Sequence, residues 1–188
     1  LKNAQKHRHN PEFVDDAFAT IEAMQSRLQN MLAQLTNKQS GQEHVKKTAL
    51  APLLQALINE RCSGSLPTPV LRMESDCLLT IDAERFTNIL YHLIDNAQQA
   101  TADDGRVDVT VRCQQEQLCI QISDTGCGMT EEFIQNRLFK PFDTTKGNAG
   151  MGIGAYDALT FVQQQQGQLQ VDSTVNQGTT FTILLPLH

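Results

Sequence analysis

Two hydrophobic periods divide this chain. Near its start, Val14, Ala17, Ile21, Met24, Leu28, Met31 and Leu35 recur at alternating steps of three and four, the period of a coiled-coil seam and not of a broad globular face. Asn10, Pro11 and Glu12 just ahead supply an N-cap, a first-turn proline and an acid suited to a helix start, so the spacing predicts a long helix that needs a helical partner. The polar run TNKQSGQEH (36–44) predicts a hinge, and the domain boundary is placed there. Beyond it the pattern shortens. VKKTAL predicts a strand, PLLQALINER a helix opened by Pro52, and LRMES and LLTID two short strands bracketing a turn. Helical spacing returns from Ala83 to Ala100.

Strict alternation in VDVTVR (107–112) and LCIQIS (118–123) predicts an antiparallel hairpin with one face buried. Residues 168–172 and 179–185 predict a second strand pair. Between the pairs lie a glycine-interrupted stretch from about 143 to 154 and a helix running to about Gln166. This order of elements predicts an α/β (α+β) fold, a two-layer sandwich of a mixed sheet on helices.

Composition narrows the function. The 188 residues carry a formal charge of −6, and no Lys/Arg cluster is long enough to track a phosphate backbone, which disfavours direct nucleic-acid binding. The five cysteines form no C-x-x-C pair, which argues against a disulfide framework or zinc site and fits a reducing cytoplasm. No apolar run approaches the roughly 20 residues that span a bilayer, and LKNAQKHRHN lacks the apolar core of a signal peptide; no membrane contact is expected of these residues themselves.

Five stretches then fall in one order: HLIDNAQQA (92–100), DTGCGM (124–129), FKPFDTTK (139–146), AGMGIGAY (149–156) and GTTF (178–181). Singly each is a common pattern; the ordered set resembles the N, G1, F, G2 and G3 boxes of the ATP-binding catalytic domain of sensor histidine kinases, the gyrase/Hsp90/histidine kinase/MutL type with a Bergerat fold. The wording AGMGIGAYDA, with KHRHNPEF upstream, is similar to sensor kinases associated with exopolysaccharide and PEP-CTERM sorting systems. The resemblance implies a truncated dimerisation hairpin over 1–40, mostly its second helix, and an ATP-binding catalytic domain over 45–188.

Helical spacing sets His92, Asn96 and Gln99 on one polar stripe opposite Ile89, Leu90, Leu93, Ile94 and Ala97. Magnesium takes oxygen ligands and commonly reaches a protein through one or two groups plus phosphates; the resemblance gives that part to the Asn96 carbonyl, while His92 one turn earlier, where the family often has asparagine, is either a phosphate contact or a satisfied core residue. The related hydrolytic ATPases carry a glutamate at that position to activate water, and His92 is a poor substitute. Asp124 leaves a strand end where its carboxylate can accept from an exocyclic amine, and the resemblance assigns it to adenine, with Gly126, Gly128, Met129 and Thr179 around the base. Gly150, Gly152, Ile153 and Gly154 imply a lid offering backbone N–H groups and a helix N-terminus to phosphates. Thr145 and Lys146 belong to the same lid, Lys146 as a charge on the terminal phosphate.

Departures are visible: Gly154-Ala155-Tyr156 stands where the family commonly has G-L, and Gln165-Gln166-Gly167 replaces H-G-G. His7 and His9 precede the Asn10-Pro11 turn and lack the acidic neighbour of a phosphoacceptor, so the acceptor histidine is expected upstream of Leu1. The function implied is a cytoplasmic kinase domain that uses Mg-ATP, phosphorylates a histidine and passes the phosphoryl group to a response regulator, with a second kinase protomer across the seam. The alternatives are a nucleotide-binding scaffold without transfer, or a protein serine kinase of the same superfamily.

Overall fold

The computed structural model describes residues 45–141 and 152–187; the seam helix and most of the glycine-rich stretch, with Thr145, Lys146 and Gly150, lie outside them. The elements in order are β1 (Val45–Ala49), α1 (Leu50–Leu57), a π-helical turn (Ile58–Cys62), β2 (Val70–Met73), β3 (Leu78–Asp82) and α2 (Ala83–Ala100). They continue with β4 (Val107–Gln114), β5 (Gln117–Asp124), α3 (Glu131–Asn136), α4 (Gly154–Gln164), β6 (Gln168–Thr174) and β7 (Gly178–Pro186). Five strands form one sheet in the order β2-β4-β5-β7-β6, and β1 pairs with β3 apart from it. Only β2 and β4 run parallel within the larger sheet; its other pairings are antiparallel.

Alternation decides which side of the sheet is covered. Val109 stands opposite Ile122 and Val111 opposite Ile120, while Ile120, Ile122 and Leu118 face Ile183, Phe181 and Leu185 on β7. All of these side chains are buried, so the helices lie on this face and the threonines, glutamines and serines between them point the other way. Against it α2 presents Phe86, Ile89, Leu90, Leu93, Ile94 and Ala97. Asp82 caps that helix by accepting from the Arg85 N–H at 3.1 Å, as a capping aspartate should. The shorter α4 adds Ala158, Phe161 and Val162, with Phe161 stacked on Phe86 at 5.9 Å between centroids. Arg85 ties the two helices at the surface, donating to Gln164 at 2.9 Å and reaching Asp157 at 3.8 Å.

Several expectations need correction. The helix expected to open at Pro52 begins two residues earlier at Leu50; Pro52 is still in the first turn, where its missing N–H would have had no intrahelical partner. The strands bracketing the 74–77 turn enter different sheets. Helix α3 was not foreseen: its single turn is held by a Thr130 cap on the Phe133 N–H and buries no residue, so it leaves no apolar period to read. The cysteine pattern argued against disulfides, yet Cys77 and Cys113 are bridged, their Cα atoms 6.3 Å apart. Pairing depends on spatial approach, and the β2–β3 turn is brought beside the end of β4 by the Ser75 hydroxyl, which accepts from the Cys113 N–H at 2.7 Å. Cys62, Cys119 and Cys127 stay free.

Leu93 lies between the sheet and the other helices with no exposed surface. Leu93→Ala should cost about 2–5 kcal/mol of folding free energy, read as a lowered denaturant midpoint with an unchanged slope.

Candidate functional site

The site is built where the end of β5, the start of β7 and one side of α2 meet. Asp124 is the last residue of β5, and its carboxylate turns back on the chain: Oδ1 accepts from the Gly126 N–H at 2.8 Å and from the Thr179 N–H at 3.2 Å. Oδ2 takes no hydrogen bond among the described residues. Burial raises the Asp124 pKa, with the two backbone N–H groups pulling the other way. A half-buried carboxylate oxygen without a donor is costly, and it marks a place where a ligand donor would be welcome.

The turn after Asp124 fits only because three residues around it lack a Cβ; one on Gly126 would strike the Ala100 carbonyl. Gly178 has φ of +121°, and a Cβ there would run into the Asp124 carbonyl. Gly128 has φ of +62°, and its Cβ would strike the Thr174 carbonyl. These backbones therefore approach their neighbours as no side-chain-bearing residue could. The Cys127 N–H donates to the Ala100 carbonyl at 3.0 Å, which pins this turn to the C-terminal end of α2. Met129 is partly buried against the core.

Ser173 holds the remaining corner. Its hydroxyl receives the Met129 N–H at 2.8 Å, donates to the Gly178 carbonyl at 3.0 Å and lies 2.9 Å from the Thr179 hydroxyl. Sequence reading passed over Ser173, because a serine at an inward position of an alternating strand carries no mark of its own. Thr179 is buried, so its backbone serves Asp124 while its side chain serves Ser173.

Along α2, His92, Asn96 and Gln99 share the outward stripe. Gln99 donates to Asp95 at 2.7 Å. Gly154, the first residue of α4, sits directly against this stripe: a Cβ on it would lie 3.3 Å from the His92 Cβ and 3.6 Å from the Asn96 Nδ2. The start of α4 thus packs directly against the stripe, with Gly152 and Ile153 leading up to it. His92 keeps an exposed edge, but desolvation lowers its pKa, against Asp157 and Asp95 and together with Arg61. Among the described residues no cluster of three or more His, Cys, Asp or Glu could hold a metal; the stripe carries instead the amide of Asn96, of the oxygen-donor type that suits a phosphate-borne magnesium.

Residues 81–188 match the family model described as "Histidine kinase-, DNA gyrase B-, and HSP90-like ATPase", which takes in all of α2, the Asp124 turn and β7. The chain belongs to this ATPase family. Among its relatives, the signal transduction histidine-protein kinase ArlS of Staphylococcus haemolyticus (strain JCSC1435) is 34% identical over 110 residues, covering 56% of this chain and 24% of that protein. Sporulation kinase A of Bacillus subtilis (strain 168) is 28% identical over 186 residues, covering 94% of this chain and 29% of the relative. The chain thus spans less than a third of the length of either. Of solved structures, the mycobacterial sensor histidine kinase MprB superposes with a TM-score of 0.65 at 19% identity, covering 77% of this chain and 98% of that one. The Acinetobacter baumannii histidine kinase AdeS does so with a TM-score of 0.66 at 20% identity, covering 87% and 78%. These likenesses establish the Bergerat-type sandwich expected from the order of elements, and the histidine-kinase relatives mark the chain as an ATP-binding module of sensor-kinase type.

The raised pKa of Asp124 fixes the sign of a stability effect. Its contribution is fully present below the unfolded-state pKa and is lost as pH rises through the folded-state value. Asp124→Asn should flatten that loss, so that thermal unfolding followed from about pH 4 to pH 8 gives a midpoint at neutral pH equal to or above that of the parent. Gly178→Ala should instead lower the midpoint at every pH, because the collision with the Asp124 carbonyl does not titrate.

Proposed function

We propose that residues 45–188 bind Mg-ATP at this site and transfer its terminal phosphoryl group to a histidine. The observation that carries the reading is the open Oδ2 of Asp124 beside the Asn96 stripe. An adenine amino group supplies the donor that Oδ2 lacks, whereas guanine presents an acceptor at the same ring position and would leave it unpaired. Gly126, Gly128, Met129 and Thr179 line the base end. His92 and Asn96 face the phosphates, with Gly152, Ile153 and Gly154 offering backbone N–H groups at the start of α4; Gln99, Thr145, Lys146 and Gly150 complete the set. Magnesium, when bound with the triphosphate, offsets phosphate charge, and Asn96 is the residue that would hold it.

The chain's own contribution to transfer is positioning and charge placement, as phosphoryl transfer generally requires. Asp124 anchors one end of the nucleotide and the α2 stripe with the α4 N-terminus aligns the other. The seam in residues 11–39 supports a dimerisation hairpin, within 1–40, shared with a second kinase protomer. The acceptor histidine is placed on the first helix of that hairpin, upstream of Leu1, and a response-regulator aspartate receives the phosphoryl group next. The phosphorelay reading places the domain in the cytoplasm; no helix among the described residues is long and apolar enough to cross a membrane.

Calorimetric titration with a non-hydrolysable ATP analogue, with and without magnesium, tests the site. Asp124→Asn replaces Oδ2 by an amide that can turn a donor toward the adenine amine, and loss of a charge-assisted hydrogen bond predicts weakening of about tenfold or more. Asn96→Ala should remove most of the gain given by magnesium and leave magnesium-free binding nearly unchanged. No binding by the parent chain at millimolar nucleotide would sink the reading. For the transfer step, an added hairpin bearing the acceptor should take up label from γ-labelled ATP in an acid-labile form; acid-stable label would indicate a serine kinase, and binding without label a scaffold.

His92 generates a separate expectation. Phosphate charge favours its imidazolium against the desolvation that disfavours it, so nucleotide binding near pH 6.5, the ordinary imidazole value, should take up protons. Calorimetry in two buffers of different ionisation enthalpy measures the uptake, and His92→Asn should abolish it.

A further inference from the structure

The exposed stripe of α2 has a second flank. Opposite the side that meets α4, Arg61 reaches over from the π-helical turn: its Nη1 donates to Asn88 Oδ1 at 2.8 Å, and its guanidinium lies 4.2 Å from the centre of the Tyr91 ring. Tyr91 in turn lies beside His92, with ring centroids 5.5 Å apart. Neither contact neutralises the arginine. Among the described residues no carboxylate pairs with it, whereas Arg72, Arg85, Arg106 and Arg112 each have one. Nη1 alone is engaged, so Nε and Nη2 keep N–H groups to give.

Its position is fixed from below. The next residue, Cys62, is buried, and its carbonyl accepts from the buried Gln98 amide at 2.9 Å; the same nitrogen reaches the Ser65 and Pro67 carbonyls at 2.9 and 3.1 Å. The helix that carries the stripe therefore also fastens the turn that carries Arg61. A π-helical turn of this kind commonly marks a functional position, and here it aims a cation at the stripe. Asp95 and Asp157 both set negative charge near His92, and Arg61 is the cation acting against them.

Direction along α2 decides what the cation meets. The Asp124 turn is pinned at Ala100, and Tyr91 is nine residues back toward the N-terminus, about 13 Å along the axis at 1.5 Å per residue. Asn96 and His92 come between. A nucleotide with its base at Asp124 and its first phosphates at Asn96 would bring its last phosphate toward Tyr91 and Asn88, within the compass of an extended triphosphate. We propose that Arg61 donates its free guanidinium N–H groups to the terminal phosphate, and that by this contact the site tells a nucleoside triphosphate from a diphosphate. An arginine fork suits a phosphate by geometry as well as by charge. The inference rests on the nucleotide reading given above.

The test compares an ATP analogue with ADP, both with magnesium, by calorimetry on the full chain. Arg61→Met keeps the apolar stem over Tyr91 and removes the charge; it should weaken the analogue by about tenfold and leave ADP nearly unchanged, with an unaltered thermal midpoint. Arg61→Lys should recover part of the difference. If Arg61→Met failed to fold, Asn88→Ala, which frees the guanidinium without removing it, should still narrow the preference for the analogue over ADP. Equal losses for both nucleotides, or none, would overturn the assignment while leaving the site intact, provided that Asp124→Asn weakens both. A parent chain that binds neither nucleotide would overturn both readings together.

Discussion

Burial of one side of α2 against β4 and β5 is the constraint on which the other features rest. Phe86, Ile89, Leu90, Leu93, Ile94 and Ala97 leave that helix no freedom to roll, because a close-packed interior tolerates neither a gap nor an overlap of even one methylene. With its rotation set, the opposite stripe must carry Asn88, His92, Asn96 and Gln99 outward. The same helix supplies the Ala100 carbonyl that receives the Cys127 N–H and the Gln98 amide that gathers three loop carbonyls. One packing decision thus positions the polar stripe, the Asp124 turn and the Arg61 turn.

The second constraint is backbone crowding around Asp124. The carboxylate is drawn into the fold by two N–H groups from different segments, and this works only because Gly126, Gly128 and Gly178 let the chain pass without side chains. The cost is a carboxylate deprived of water, visible in the upward shift of its pKa. Sites that place a polar group where solvent would have been cheaper commonly do so for a ligand.

Legibility in the sequence followed the physics of each element. Helix α2 was readable to the residue, since an unbroken helical period ends in a capping aspartate on one side and polar breakers on the other. The two hairpins were readable from alternation, although β4 and β5 run on until only Gln115 and Glu116 remain in the turn, both at positive φ, with no glycine or asparagine to announce it. Short or unburied elements escaped: α3 has no apolar face, and the placement of β2 and β3 in separate sheets depends on pairings that local pattern does not contain. In the site, Asp124, Asn96 and Gly154 stood out because ordered boxes gave them context. Ser173 and Arg61 did not, because a serine in a strand and an arginine at a helix end acquire meaning only from what folding brings beside them.

Among the described residues the sheet is open at β2 and β6, and its two edges are protected differently. An unpaired strand edge is a template for another strand. On one side the chain offers just the four residues of β2, too short a run to recruit a neighbour well. On the other, β6 is longer but alternates Gln168, Gln170, Asp172 and Thr174 into solvent. A strand added to this edge would bond to its backbone and leave the side chains on their own face of the sheet, so the glutamines, which can ladder with their like, give little protection. The one charge in the strand, Asp172, is what discourages a second copy from pairing there, which makes that carboxylate a determinant of how the molecule behaves as a solute.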